Sequence, residues 1–535
     1  MARLPAASVP LSFFCLVSSS LAAIVFFSTV AHVSGSAAND AACAALSSSA
    51  FGGATLPPVY AAAVPPNVCA SIWAEDLHTA RGMVALPHDG GLIVVSRNGD
   101  VADLVWLNDT DGNGSIDSSN DAERKILTTI PGLTHGVALW QPASADPDAA
   151  MLLASSDTTV YRWPFRLSAP NSTLSDAPAA LVINMPRGGH NTRTITIDPI
   201  SQRWLYVSVG SVGNIDTSPT RSGLWRFDLA ATPVAGAGQP FDFARDGSLF
   251  AGGLRNEVAL AWDRLGVLWG AENGADELDR ADLGGDVHND NPGEEINKFD
   301  RGAGAFYGYP YCFSECVLGP GVTRGAGVQW AWPSFLGDGV HDDAWCRAGS
   351  NVVSPHVVMP AHTAPLGMRF YPREMAESRS GAAPPPFAFP PPPASGDAVG
   401  SDTGRLEYLI VAQHGSWNRS PPSGYRVVRF PTAVASEDLG VQIVGPQETL
   451  LWFDSDDGSA TGDGWGRPVD VTLGRRGEVL ITDDSMGRIL VLRHLNFTGA
   501  EPRLSSTGGN GAGAVAPPLT ALVCGLLMGL LAAVL

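Results

Sequence analysis

The feature that most constrains this chain is a phrase that recurs six times between Arg81 and Leu492. Each copy has a polar start, a strand of alternating apolar residues, a turn, a second apolar strand and a glycine-containing hairpin into a third strand. The copies open at Arg81 (RGMVALPHDGGLIVVSRNGDV), His135 (HGVALWQP, then MLLASSDTTVYRW), Arg193 (RTITIDPISQRWLYVSVGSVGN), Arg255 (RNEVALAWDRLGVLWGAENGADEL), His362 (HTAPLGMRFY, then EYLIVAQHGSWNRS) and Arg467 (RPVDVTLGRRGEVLITDDSMGRILVL). A repeat that cannot bury its apolar faces alone must stack on its neighbours, and six three-to-four-strand units predict an all-β, six-bladed β-propeller. The spacing is irregular because loops intervene. The proline-rich run from Ala383 to Pro393 interrupts the fifth copy, where no strand ladder could hold it, and Leu278 to Ile296 inserts in the fourth.

In a propeller the first strand of each blade lines the central channel, so the residues that open the copies converge on one mouth. They are Arg81, His135, His190 with Arg193, Arg255 with Asn256, His362 with Thr363, and Arg467. Composition makes this unusual: the chain has 33 Lys and Arg against 53 Asp and Glu, a formal net charge of -20. Such a balance excludes a nucleic-acid partner, which needs concentrated cations. Scarce cations gathered at one mouth point to an anionic ligand; the alternative is that each arginine bonds neighbouring carbonyls.

The loop DTDGNGSID carries oxygen ligands at Asp109, Asp111, Asn113 and Asp117, with Gly114 at the tight turn, as at the start of an EF-hand loop. Asn120 stands where a bidentate Glu is expected, so the alternatives are an occupied calcium site and a solvated hairpin. The two ends are expected to serve export. Residues 1–36 form a signal peptide, residues 499–518 a polar spacer with Asn510 as the attachment position, and residues 519–535 the apolar tail of a GPI signal, leaving residues 43–498 as the propeller. A signal anchor and a spanning C-terminal helix are the competing readings. In an oxidising compartment Cys43 pairs with Cys69, and Cys346 with Cys312 or Cys316. Sequons at Asn108, Asn113, Asn171, Asn418 and Asn496 are glycan acceptors.

The stretches GGHNTRTITIDP, GLRNEVALAWD, WGAENGADEL, EINKFDRGAGAFYGYPYC, HTAPLGMRFY, VAQHGSWNRSPPSGYRVVRF and WGRPVDVTLGRRGEVLITDD resemble the soluble quinoprotein glucose/sorbosone and pyranose dehydrogenases. The resemblance implies an enzyme that binds pyrroloquinoline quinone (PQQ) on the channel mouth, with calcium, and oxidises a sugar or polyol by hydride transfer to the quinone. It assigns His190 as general base and Arg255, Asn256, Arg467, Arg193, Thr363 and His414 to the cofactor, His414 falling near the family's lysine position. It assigns the carbonyls of Gly274 and Ala275 to the active-site calcium, with Glu272 and Asp276 nearby, and leaves Asp216 as the acidic partner of the base. An unperturbed imidazole near pKa 6.5 suits a base at neutral pH. The partners implied are a small sugar, an external electron acceptor, and the membrane through the C-terminal anchor. Two other classes are kept: a catalytically inactive cell-surface binding module, and a calcium-dependent lactonase-like hydrolase, which would place Asp, Glu and Asn at the mouth.

Overall fold

The structure, a computed structural model, describes residues 67–495 apart from 89, 143–145, 232–237, 373–388, 390–405, 437–438 and 454–465, together with 43, 44, 46, 59 and 62–65. The expected signal peptide, spacer, tail and sequon Asn496 lie outside the described residues, as does all of the proline-rich run except Phe389.

Six sheets, antiparallel except for a two-residue parallel edge strand in blades 2 and 3, stand around one axis. The innermost strands, in blade order, are Thr79–Ala85, Leu133–Trp140, Ile195–Ile197, Glu257–Trp262, Pro365–Tyr371 and Pro468–Leu473. Each touches the next, the third and fourth through Trp262 Nε1–H donating to Thr196 Oγ1 at 2.8 Å, and the sixth touches the first, so the ring is closed. These strands enclose an axial channel of about 250 Å³. The sequence explains how they come so close: a Cβ on Gly82 would lie 2.3 Å from the His135 carbonyl oxygen, and one on Gly136 would lie 2.3 Å from that of Arg193. Only glycine fits after the residue that opens these copies. Apolar wedges fill the space between blades; Ile93, Leu104, Trp106, Leu133, Leu152 and Trp163 join the first two.

The recurring phrase covers three strands of each blade, and the structure adds a fourth. In blade 1 it is Arg124–Pro131, in blade 4 the short Val357–Met359. In blade 6 it comes from the far end of the fold: Val68–Ala74 pairs antiparallel with Arg488–His494. Just upstream, Ala62–Ala63 pairs with Phe453 and Trp452 on the outer edge of blade 5. The fourth copy differs most from expectation. Besides the loop after Glu272, it carries a second insertion, between Glu294–Lys298 and Val357–Met359, with the hairpin Cys312–Ser314/Gln329–Ala331 and the helix Asp343–Arg347. The disulfide Cys312–Cys346 ties this insertion together, Cys43–Cys69 fastens the segment preceding the closing strand, and Cys316 is free.

Candidate functional site

The residues that open the blades do meet, and their contacts can be followed around the mouth. Arg81 Nη1 donates to Asp484 at 2.7 Å, and the other oxygen of Asp484 lies 3.0 Å from His414 Nε2. The carbonyls of His414 and Gly415 accept from Arg467 at 3.3 and 2.9 Å. His414 N–H donates to Ala364 O at 2.9 Å, and Ala364 N–H to Glu294. Glu294 also accepts from Gly274 N–H at 2.6 Å, and Gly274 O accepts from Arg255 Nη1 at 2.5 Å. From there Arg255 reaches Asp276 at 3.0 Å and Asn214 Oδ1 at 3.1 Å.

His190 sits beside this chain, on the loop before the inner strand of blade 3. Ser211 N–H donates to Arg255 O, and His190 N–H donates to Ser211 O at 2.9 Å. The His190 Nδ1 atom lies 2.9 Å from Ser211 Oγ and 3.2 Å from Ser211 O. Because Ser211 Oγ gives its own proton to Gly213 O at 2.7 Å, both atoms facing Nδ1 are acceptors. Nδ1 therefore carries the hydrogen, and Nε2, with no partner among the described residues, presents a free lone pair. Burial, then the positive charge of Arg255, lowers the pKa of His190 to about 4. The imidazole is thus neutral at pH 7, but it is not the unperturbed group that the sequence suggests.

Several expected residues take other places. Arg193 is fully buried and its guanidinium donates to the carbonyls of His190, Thr192 and Pro186 and to Asp157 at 2.8 Å. It fixes the His190 loop from behind instead of facing the mouth. Asp216 does not reach His190; its oxygens accept from Val212 and Ser218 N–H at 2.7 and 2.9 Å and shape the turn after Ser211. Thr363 is buried with its hydroxyl on Pro360 O at 3.2 Å. Asn256 adjoins His190 across Gly210, where a Cβ would lie 2.6 Å from each side chain. His362 donates from Nε2 to His288 O at 2.6 Å, and its Nδ1 lies 3.5 Å from Asp276. Burial lowers the pKa of His362, but the bond to Asp276 and that to His288 O outweigh it, so the net shift is upward. Asn418 gives its side-chain amide to Asp276 at 3.2 Å, so this sequon is spent inside the site.

An anion-binding mouth should leave donors unspent, and it does. Arg81 Nε and His135 Nδ1 are buried without partners, and the side-chain bonds of Arg467 among the described residues run through Nε and Nη2 alone. These residues fit the three carboxylates of PQQ, for which guanidinium is suited.

The metal candidates separate into two places. Glu272 is buried and faces inward, with Gly274, Ala275, Glu295 and Tyr307, on a cavity of about 20 Å³, room for one water or ion. Glu257, Glu272 and Glu295 are cross-strand neighbours in blade 4, and both oxygens of Glu257 are buried without a partner. Burial first, then the negative charge of Glu295, holds Glu257 and Glu272 well above the usual carboxylate range. Asp276 lies apart from this cavity, its net downward shift set by His362 and Arg255 against burial. A buried, oxygen-lined, charge-deficient void fits a hard cation. In the blade 1 loop, oxygens of Asp109, Asp111 and Glu123 lie within 4.8 Å of one another. Glu123, missed because the expected position was Asn120, is fully buried and also accepts from Thr110 and Asp117 N–H. Asn113 and Asp117 instead cap Ser115 and Ser119. Ser211 and Glu294 were also missed; a lone Ser and one Glu of a Glu-Glu pair carry no sequence signal of their own.

The family described as TrAA12-like matches residues 62–495. The chain is 28% identical over 440 residues to a PQQ-dependent pyranose dehydrogenase of Coprinopsis cinerea, spanning 78% of this chain and 53% of that protein. It is 31% identical over 306 residues to a PQQ-dependent sugar dehydrogenase of Hypocrea jecorina, spanning 55% of this chain and 66% of the relative. The holo form of the pyranose dehydrogenase PQQ domain from C. cinerea is 25% identical and superposes with a TM-score of 0.63, over 82% of this chain and 98% of that one.

Proposed function

The chain belongs to the TrAA12-like family, and on that footing we propose that it is a PQQ- and calcium-dependent sugar oxidoreductase. The observation that carries the reading is His190: its Nδ1–H is held on Ser211, its Nε2 is open, and Arg255 stands beside it at a mouth where Arg81 Nε has no partner. PQQ, when bound, supplies the two-electron acceptor for a hydride leaving the sugar carbon. His190 Nε2 takes the proton of the same carbon's hydroxyl, so that hydride and proton together leave a carbonyl product. Arg255, Arg467, Arg81 and Asn256 bind and orient the cofactor's carboxylates and carbonyls, with His414 at the rim. Arg193 and Ser211 keep the base in place. Calcium is assigned to the cavity of Glu272, Gly274, Ala275 and Glu295, where it would offset the buried carboxylates, and to the Asp109, Asp111 and Glu123 loop.

The setting we propose is extracellular, with a cleaved signal, a GPI anchor and glycans at sequons other than Asn418, and electrons passed to an external acceptor. Two disulfides suit an oxidising compartment. The test is a titration of apo-protein with PQQ and Ca²⁺ followed by dye reduction across aldoses and polyols. Saturable PQQ binding with sugar-dependent reduction is expected; no PQQ binding by calcium-loaded protein overturns the proposal.

A further inference from the structure

One residue at the mouth takes no part in this chemistry and is nonetheless held in a fixed place. Trp417 is 75% exposed, the most exposed large apolar side chain among the described residues. Exposure of this kind normally marks a loose loop, but the backbone around it is pinned on every side. Ser416 N–H donates to Ser423 O at 2.8 Å, and Ser423 N–H returns to Ser416 Oγ at 3.0 Å. Arg419 bonds Asn289 O at 2.7 Å and Asp290 at 2.8 Å. Two of these anchors belong to the site itself: Gly415 O accepts from Arg467, and Asn418 donates to Asp276. The indole is thus an exposed apolar surface on a backbone anchored to the site residues Arg467 and Asp276. On the His190 side Val212, 54% exposed, follows the serine that holds the base.

A pyranose has polar edges and apolar C–H faces, and a tryptophan ring, with only two side-chain torsions to order, gives such a face contact area at little entropic cost. We propose that Trp417 is the platform on which the substrate sugar stacks, a specificity-determining residue that sets sugar affinity without touching the cofactor; the inference rests on the sugar-oxidoreductase reading above. Trp417→Ala is expected to raise KM for aldoses about tenfold, with kcat and PQQ affinity unchanged, and Trp417→Phe to recover most of the loss. A readout independent of turnover is saturation-transfer NMR on apo-protein, in which transfer to the sugar's ring C–H protons should fall in Trp417→Ala. The difference between variant and wild type is needed because the chain has 14 tryptophans. Unchanged KM and unchanged saturation transfer overturn the proposal. So does a variant with normal sugar KM that is slow only with a protein electron acceptor, which would make Trp417 a partner-docking residue. A wild type that binds no PQQ sinks the oxidoreductase reading alone, and Trp417-dependent saturation transfer in that protein would still establish the sugar platform.

Discussion

His190→Ala removes a side chain whose backbone is held independently of it, because its N–H donates to Ser211 O at 2.9 Å and its carbonyl accepts from Arg193 at 2.6 Å. The loop should therefore persist, and the loss should fall on kcat, by about 10²- to 10⁴-fold for a general base, with PQQ affinity intact. The depressed pKa gives a sharper discriminator. A group titrating at about 4 is roughly 90% neutral at pH 5, whereas an unperturbed imidazole at 6.5 is about 3% neutral there. In apo-protein the His190 ring proton shifts should titrate near pH 4, measured by NMR against His190→Ala to assign the signal. Binding a polycarboxylate beside Arg255 offsets the guanidinium that helps lower this pKa, so the acid limb of kcat in the loaded enzyme should lie above the apo midpoint and below 6.5. An apo midpoint at 6 or higher would show that burial and Arg255 do not act on this ring as described. Turnover in His190→Ala within about tenfold of wild type would remove it as base.

Arg255→Ala should weaken PQQ by about ten- to a hundredfold through loss of a charge-assisted pair, and should also destabilise the apo-protein by about 1.5–3 kcal/mol, since the guanidinium closes on Asn214, Gly274 and half-buried Asp276. A normal melting temperature would mean that these bonds do not hold the loop. Asp109→Ala and Glu123→Ala should each cost one calcium per chain and erase part of the calcium-dependent rise in melting temperature, while Asp117→Ala should do neither. Equal calcium stoichiometry in all three would make the loop a plain hairpin. Burial, against backbone donors from Gly274 and Ala364, raises Glu294 from 4.5 to about 7. The folded state then holds more protons than the unfolded one between those values, so this stability is full below about pH 4.5 and lost as pH rises through 7, by up to about 3 kcal/mol. Glu294→Gln should flatten that slope in denaturant titrations of chelated protein; an unchanged slope would clear Glu294.

The propeller was legible because the inner strands must satisfy two demands at once, apolar alternation and a glycine where neighbouring strands nearly touch, as at Gly82 and Gly136. Outer strands face neither demand, so Val357–Met359 leaves almost no pattern, and the insertion around Cys312 hides it further. At the site, residue types were legible and their orientations were not. Arg193 and Arg255 read alike in sequence, yet the first turns its guanidinium onto carbonyls and Asp157 behind the base, while the second turns its own onto Asn214, Gly274 and Asp276. The pKa of His190 could not be read at all, because it depends on burial and on an arginine 65 residues away in sequence. Glu123 was in plain view; the rigid EF-hand spacing pointed to Asn120, but a loop without flanking helices is free to reach its buried ligand three residues later.

Blade 6 is completed by Val68–Ala74 lying against Arg488–His494, strands more than 400 residues apart. On a ribosome this means that the first strand waits, unpaired, until nearly the whole ring has emerged, exposing an apolar edge for the length of synthesis. Loop-closure entropy for such a contact must be met before the seam rewards it, so the seam is expected to be the last part to form and a site at which chaperones or premature pairing act. Once shut, the seam works as a clasp. Any blade that opens must strain its neighbours around a closed circle, and Cys43–Cys69 ties the upstream segment to the closing strand.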